Sequence, residues 1–413
     1  MALPPHASVL ANADVWMESE AVEQLARTAG KPGCVRAVGM PDLHPGRGIP
    51  IGAVFLFDGR VFPELVGGDA GCGVLLIAGR KDGPRGDALE RRVLAALDEP
   101  MLPDVDPAAL VACAWERGPR GLAALSGVPE ALGELALRAP DDAHERASGA
   151  LPDGTRHAEQ LGTVGGGNHF AEISRVDQLA DKARAKALAV HADAQVVMVH
   201  SGSRGLGPAI RDHHEAAATR LRGGLRGLAA DGPGAAAYLH DMRWALDYAE
   251  LSRTRLLERA CEVLADCLGI RPGGEAGISC HHNFVRREQH GGQWLWVHRK
   301  GAISAAEGEP GVIPGSMGTS SYHVLGRGHP ASLCSSSHGA GRCMPRGEAR
   351  RRIAAQELLA QLRGVWFDHR AAEELRDEAP AAYKDIGAVM RAQRELTRVV
   401  RRLRPVLSFK AAG

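Results

Sequence analysis

Glycine stands beside histidine, aspartate, cysteine or asparagine in a succession of short strings along the chain, and this limits what the chain can fold into. Fifty-one of the 413 residues are glycine, about 12% against a usual ~7%. They gather next to polar side chains and form no repeat, which argues for backbone brought close to a ligand more than for linker. A GC-rich genome produces a similar excess of glycine, arginine and alanine. Helices do not persist through such strings. Alternating strand and helix signals between them give an α/β fold, one large domain with mixed sheets around a central cleft.

The densest string is Cys334-Ser-Ser-Ser-His338-Gly-Ala-Gly-Arg342, one imidazole among hydroxyls, glycines and a guanidinium. The glycines allow backbone N–H groups to approach an anion, and Arg342 can fork onto phosphate. His338 is the candidate nitrogen nucleophile. Loops of this composition are usually without chemistry, so its weight comes from the other strings.

Upstream, Asp42 and His44 lie two apart in a Pro- and Gly-rich turn, where capping is as good an explanation as chemistry. Asp69 and Cys72 lie three apart in Val66-Gly-Gly-Asp-Ala-Gly-Cys-Gly-Val74. A carboxylate with a thiolate suits a borderline metal ion better than Mg²⁺ or Ca²⁺, and a turn Asp beside a buried Cys is the competing reading. Gly165-Gly-Gly-Asn168-His169-Phe170-Ala-Glu172 is a phosphate-approach loop running into polar ligands, and no Gly-Lys-Ser/Thr follows to make it a Walker A loop. His200 ends a predicted strand and leads into Ser-Gly-Ser-Arg204, where open α/β sheets bind ligands. Cys280-His-His282-Asn283 and the small-residue loop around Ser316 complete the set.

Among regular elements, helices are expected over residues 14–30, 88–97, 208–222, 233–268 and 386–403, with a basic helix over 347–364. Strands are expected over 35–40, 49–57 and 195–199, a hairpin turn at 289–292, and a last strand tying down Lys410. Formal net charge is +1, so a polyanion must meet a local patch. The eight cysteines contain no C-x-x-C pair and read as neither a disulfide framework nor a zinc ribbon. No apolar run approaches a membrane span and no secretory signal is visible, so a cytoplasmic protein is expected.

The strings MPDLHPGRG, GGDAGCG, GTVGGGNHF, HSGSRG, CHHN, HRKGA, IPGSMG, SSSHGAGR and AYKDI occur in that order, and together they resemble the RtcB-type RNA ligases, closest to the bacterial branch. The resemblance runs from about Met40 to Lys410. It implies a single catalytic domain of that fold over residues 1–413, and two Mn²⁺ ions bridged by Cys72 and held by Asp69, His169, His200 and His282. It also implies GTP as cofactor and His338 as the residue that becomes His-GMP. Asn168, Phe170, Glu172, Asn283, Ser316, Gly339, Ala340, Gly341, Tyr383 and Lys410 match guanosine and phosphate contacts, while Arg204 and Arg342 would gather phosphates. The implied substrates are RNA ends bearing a 2′,3′-cyclic phosphate or 3′-phosphate and a 5′-hydroxyl, in RNA repair or tRNA splicing. An archease-like activator serves some relatives; no membrane is implied, and a monomer is expected.

Two departures stand out. Ser337 precedes the nucleophile where many relatives carry Cys, and Ala-Ala-Gly follows Lys410 where relatives end in Gly. A dinuclear metal phosphodiesterase could use the same Asp, Cys and His ligands, but has no need for SSSHGAGR paired with Tyr383 and Lys410. An inactive RNA-binding relative is the third reading, and retention of every proposed ligand argues against it.

Overall fold

The structure, a computed structural model, describes residues 3–81, 105–117, 119–137, 160–221, 224–268, 270–272 and 277–411. It is α/β, with two large sheets of unlike size. A five-stranded sheet runs in the order Ala7–Val9, Cys34–His44, Ile51–Phe57, Gln293–Lys300, Asn283–His290. Its first pair is parallel and the rest antiparallel. The larger sheet is antiparallel and includes Gly73–Lys81, Gln195–Ser201, Phe170–Leu179, Thr397–Phe409, Ser321–Gly326 and Pro310–Ile313 in that spatial order. Ile278–His281 pairs with Gly73–Lys81 and also packs near Pro310–Ile313, so this sheet curls toward closure.

The register of the curled sheet concentrates the polar strings at one rim. Gly73 faces Ser201 and Val74 faces His200, His200 faces Phe170, and Gly73 also faces His281. Cys72, His169, His200 and His282 therefore sit at neighbouring strand ends. The long helix Pro233–Leu268 packs behind this rim, burying Tyr238, Trp244, Leu246 and Tyr248 against Leu206 and Ile210. Gly71, with φ +73°, lets the Cys72 loop lie on that helix: a Cβ there would stand 2.8 Å from Leu246 Cα. A side chain at this position would meet both a strained backbone and helix backbone.

The expected helix over 233–268 and the turn near 289–292 are found as read. The helix expected over 14–30 begins only at Ser19 and ends at Ala29, and that expected over 208–222 spans Leu206–Ala217 before a short strand at Thr219–Arg220. The basic helix over 347–364 is two short helices, Arg346–Arg352 and Ala355–Gln361. Between them Ile353 turns extended and drops into a core with Leu358, Leu362 and Phe367.

The clearest correction concerns residues 386–403. Helix persists only over Ile386–Ala392, and Thr397–Phe409 is a thirteen-residue strand. It pairs on both sides, with Phe170–Leu179 and Ser321–Gly326. Arginine and leucine gave the segment a helical look, but pairing on both flanks buries Val400 and Leu403 completely, and such tertiary pairing overrides local propensity. The last strand does tie down Lys410, which is 7% exposed. The helix expected over 88–97 lies outside the described residues. Among the described residues, no helix is long and apolar enough to cross a membrane.

Candidate active site and metal centre

Five potential ligands converge at the rim of the curled sheet. Cys72, His200 and His282 bring one ligand atom each within 4.8 Å of one another, and so do Asp69, Cys72 and His169. The two groups share the Cys72 thiol. Its Sγ lies 3.3 Å from His200 Nε2 and 3.4 Å from His169 Nε2. His200 Nε2 stands 3.4 Å from His282 Nε2, and His169 Nε2 stands 2.9 Å from Asp69 Oδ2. His200 Nδ1 lies 3.0 Å from the carbonyl oxygen of Asn168. A donation there fixes the tautomer and turns the Nε2 lone pair inward, the usual support of a metal-binding imidazole.

The donor set fits divalent transition ions. Imidazole, thiolate and carboxylate in two overlapping groups suit Mn²⁺, Zn²⁺ or Co²⁺ better than Mg²⁺. Asp69 Oδ1 and His282 Nδ1 are buried with no hydrogen-bond partner among the described residues, and a buried, unpaired carboxylate oxygen is a place for a cation. Burial pushes the Cys72 thiol well above its ordinary range, with Asp69 adding to the effect. Burial holds His200 and His282 well below theirs, with neighbouring imidazoles adding to it. Burial thus favours neutral imidazoles, the form that ligates, and a protonated thiol.

His338 lies against this centre. Its ring centroid is 4.8 Å from that of His282. Its Nδ1 is 2.7 Å from Asp42 Oδ2, which also accepts from the His338 backbone N–H at 3.1 Å. Burial works against ionisation of Asp42, but the His338 imidazole outweighs it, and the carboxyl sits below its usual range. With Nδ1 bound to a carboxylate, Nε2 is the nitrogen left to act. The support is layered: Lys384 Nζ donates to Pro41 O at 3.1 Å and Leu43 O at 2.6 Å, on either side of Asp42. Its own N–H donates to Gly341 O at 2.9 Å. Gly341, with φ +73°, lies too close to the Asp42 backbone for any side chain.

A cavity of about 610 Å³ opens beside His338. Its walls include Asn168, Phe170, Glu172, His200, Ser316, Gly339, Ala340, Gly341, Arg342, Tyr383 and Lys410, and also Arg47, Arg346 and Glu378. Such a volume suits a nucleotide-sized ligand. Glu172 accepts from Ser174 Oγ at 2.8 Å, and burial pushes its carboxyl up to about 8. Glu378 accepts from Lys410 Nζ and Tyr383 Oη, each at 2.7 Å, and from Arg342 and Arg346. Burial opposes its ionisation, yet Lys410 and the two arginines hold it down at about 2.

Several residues singled out from sequence have commitments inside the protein. Lys410 Nζ donates to Gly167 O at 3.1 Å and His169 O at 3.3 Å as well as to Glu378, which engages all three of its donors. Arg342 lies over the Tyr383 ring at 4.9 Å and donates to Tyr383 Oη, Asp377 O and Met344 O. Asn283 donates to Asp69 O at 3.0 Å and accepts from Gly301 N at 2.8 Å, so it stands at the metal edge and off the cavity wall. Arg204 Nη1 is 3.4 Å from His169 Nδ1, again at the metal centre. Glu378 carries no sequence signal of a site, and Asp42, for which capping and chemistry are equally good sequence explanations, meets its partner 296 positions away.

The comparisons with known proteins agree along nearly the whole chain. The family model described as "tRNA-splicing ligase RtcB" matches residues 24–411. The chain is 34% identical over 410 residues to RNA-splicing ligase RtcB2 of an Escherichia coli strain, covering 98% of this chain and 95% of that protein. It is 34% identical over 427 residues to RNA-splicing ligase RtcB of Escherichia coli K12, covering 96% and 95%. With RNA-splicing ligase RtcB of Mycobacterium tuberculosis it shares 33% over 433 residues, covering 93% and 99%.

Proposed function

The chain belongs to the RtcB family, and on that premise we propose that it is an RNA ligase that uses GTP and Mn²⁺ to join a 3′-phosphate or 2′,3′-cyclic phosphate end to a 5′-hydroxyl end. The observation that carries the reading is the arrangement of His338: Nδ1 on Asp42 at 2.7 Å, and the ring between a nucleotide-sized cavity and a paired ligand cluster. What favours a ligase over a hydrolase built on the same metal ligands is the nucleotide-sized cavity that His338 shares with Tyr383 and Lys410.

In this reading His338 Nε2 attacks the α-phosphorus of GTP, forming a P–N bond and expelling pyrophosphate. Asp42 keeps the imidazole in the reactive tautomer and balances the positive charge that develops on it. The 3′-phosphate of one RNA, formed by water opening the cyclic phosphate where needed, then attacks the same phosphorus. The P–N bond breaks, GMP passes to the RNA end, and His338 is regenerated. The 5′-hydroxyl of the second RNA finally attacks the activated 3′-phosphorus, forming the phosphodiester and releasing GMP.

Asp69, Cys72, His169, His200 and His282 would hold two Mn²⁺ ions, whose chemistry is to offset charge on phosphate oxygens. Phe170 and Tyr383 flank the base, Glu172 reads its N–H edge, and Asn168, Ser316 and the N–H groups of 339–341 face the sugar and phosphate. Arg47 and Arg204 supply positive charge for RNA phosphates. A cytoplasmic setting suits the reduced, metal-facing Cys72 thiol, and the reading needs neither a membrane nor a second copy of the chain. An archease-like activator would act on turnover.

The test is joining of two oligoribonucleotides, one ending in 3′-phosphate and the other starting with 5′-hydroxyl. Product is expected only with GTP and Mn²⁺ together. Joining that needs no nucleotide, or cleavage of the oligonucleotides instead, would overturn the reading.

A further inference from the structure

Arg253 comes from the middle of the long helix Pro233–Leu268 and is wholly buried behind the metal cluster. Its Nη1 donates to Gly71 O and to Ser201 O, each at 2.8 Å. Its Nη2 donates to Glu250 Oε2 at 2.7 Å and stands 3.1 Å from His281 Nδ1. Gly71 precedes Cys72, Ser201 follows His200, and His281 precedes His282. One guanidinium therefore touches the chain neighbour of every ligand in the Cys72, His200, His282 group. None of these bonds reaches a residue adjacent to Asp69 or His169.

The arrangement is costly on charge alone. A buried cation beside a cation-binding site weakens the site electrostatically, and a buried arginine needs a partner. Glu250 is that partner, and it is itself held by Ser279 Oγ at 2.6 Å. The fork suits the task because it spans several acceptors at fixed angles, which an ammonium cannot do.

We infer that Arg253 is the positioning residue of the metal position formed by Cys72, His200 and His282: it holds three strand ends in register so that the three ligand atoms converge. The inference rests on the metal-centre reading above. It assigns Arg253 no contact with metal, nucleotide or RNA.

The test uses the full chain carrying His169→Ala, which disables the Asp69, Cys72, His169 group and leaves the other to be measured. Metal-free protein is titrated with Co²⁺, following the thiolate-to-cobalt absorption, with and without Arg253→Met or Arg253→Lys. Circular dichroism and the melting temperature of the metal-free proteins are recorded alongside. Arg253→Met is expected to weaken Co²⁺ binding about 10- to 100-fold, the usual effect of losing a group that orients metal ligands, and to broaden or shift the band. Arg253→Lys is expected to recover only part. A folded Arg253→Met protein that binds Co²⁺ as tightly as its parent, or more tightly, with the same band would overturn the inference, since removal of a mere nearby charge tightens binding. If Arg253→Met does not fold, Arg253→Lys decides by the same criterion. A parent with no cobalt–thiolate band at all sinks the metal-centre reading itself, and the inference with it.

Discussion

Asp42 Oδ2 receives both the ring Nδ1 side of His338, at 2.7 Å, and the His338 backbone N–H, at 3.1 Å. One carboxylate oxygen thus fixes the rotation of the imidazole and the backbone from which it hangs.

Asp42→Asn is expected to slow guanylylation of the protein about 10²- to 10⁴-fold while leaving nucleotide affinity within a few-fold, because tautomer and charge are lost but the cavity is not. Single-turnover rates at saturating GTP, set against equilibrium binding, separate the two effects. Equal losses in both would mean that Asp42 shapes the pocket and does not orient the nucleophile.

Metal uptake should expel a proton. Burial raises the Cys72 thiol well above its ordinary range and lowers His200 and His282 well below theirs. Apparent affinity for Mn²⁺ or Co²⁺ should therefore climb with pH, by up to about tenfold per unit. Calorimetry in buffers of different ionisation enthalpy counts the proton, and Cys72→Ser is expected to lose most of the affinity. Uptake without proton release would show that Cys72 is not a ligand.

Glu172 gives the nucleotide pocket its own pH signature. Burial pushes its carboxyl up to about 8, while a guanine N–H edge requires the carboxylate. Guanosine nucleotides should therefore bind more tightly as pH rises toward 8, level off above it, and release up to one proton per site near neutrality. Glu172→Gln should flatten that profile and weaken binding at least about tenfold. ATP, lacking the paired donors, should show no such trend.

Much of the candidate site was legible in the sequence, because glycine beside His, Asp and Cys marks loops that approach ligands. The rim of Cys72, His169, His200 and His282 carries four such strings. What local pattern could not convey was pairing across distance. Asp42 looks like a turn residue until Lys384 and Gly341 bring the His338 loop onto it. Thr397–Phe409 reads as helix from its arginines and leucines until two flanking strands claim it. Glu378 sits in no glycine string, and only the convergence of Lys410, Tyr383, Arg342 and Arg346 reveals it.

Glu378 should also matter to the fold. Its carboxyl is held near 2 against an unfolded value of 4.5, so its contribution is fully present above pH 4.5 and is lost as pH falls toward 2. Glu378→Gln leaves Lys410 and two arginines without their shared partner and is expected to cost about 3 kcal/mol near neutrality. Denaturant melts at pH 7 and pH 3 should show the variant and the parent converging at the lower pH. An equal gap at both would contradict the ion-pair account.

Covalent labelling decides whether His338 is the nucleophile. Protein incubated with α-³²P-GTP and Mn²⁺ is run on a denaturing gel, as wild type and as His338→Ala. Label is expected to stay with the wild-type protein, to be released by acid as a phosphoramidate should be, and to be absent from the variant. Label that persists in His338→Ala, or a wild type that takes none under Mn²⁺, would show that His338 is not the nucleophile.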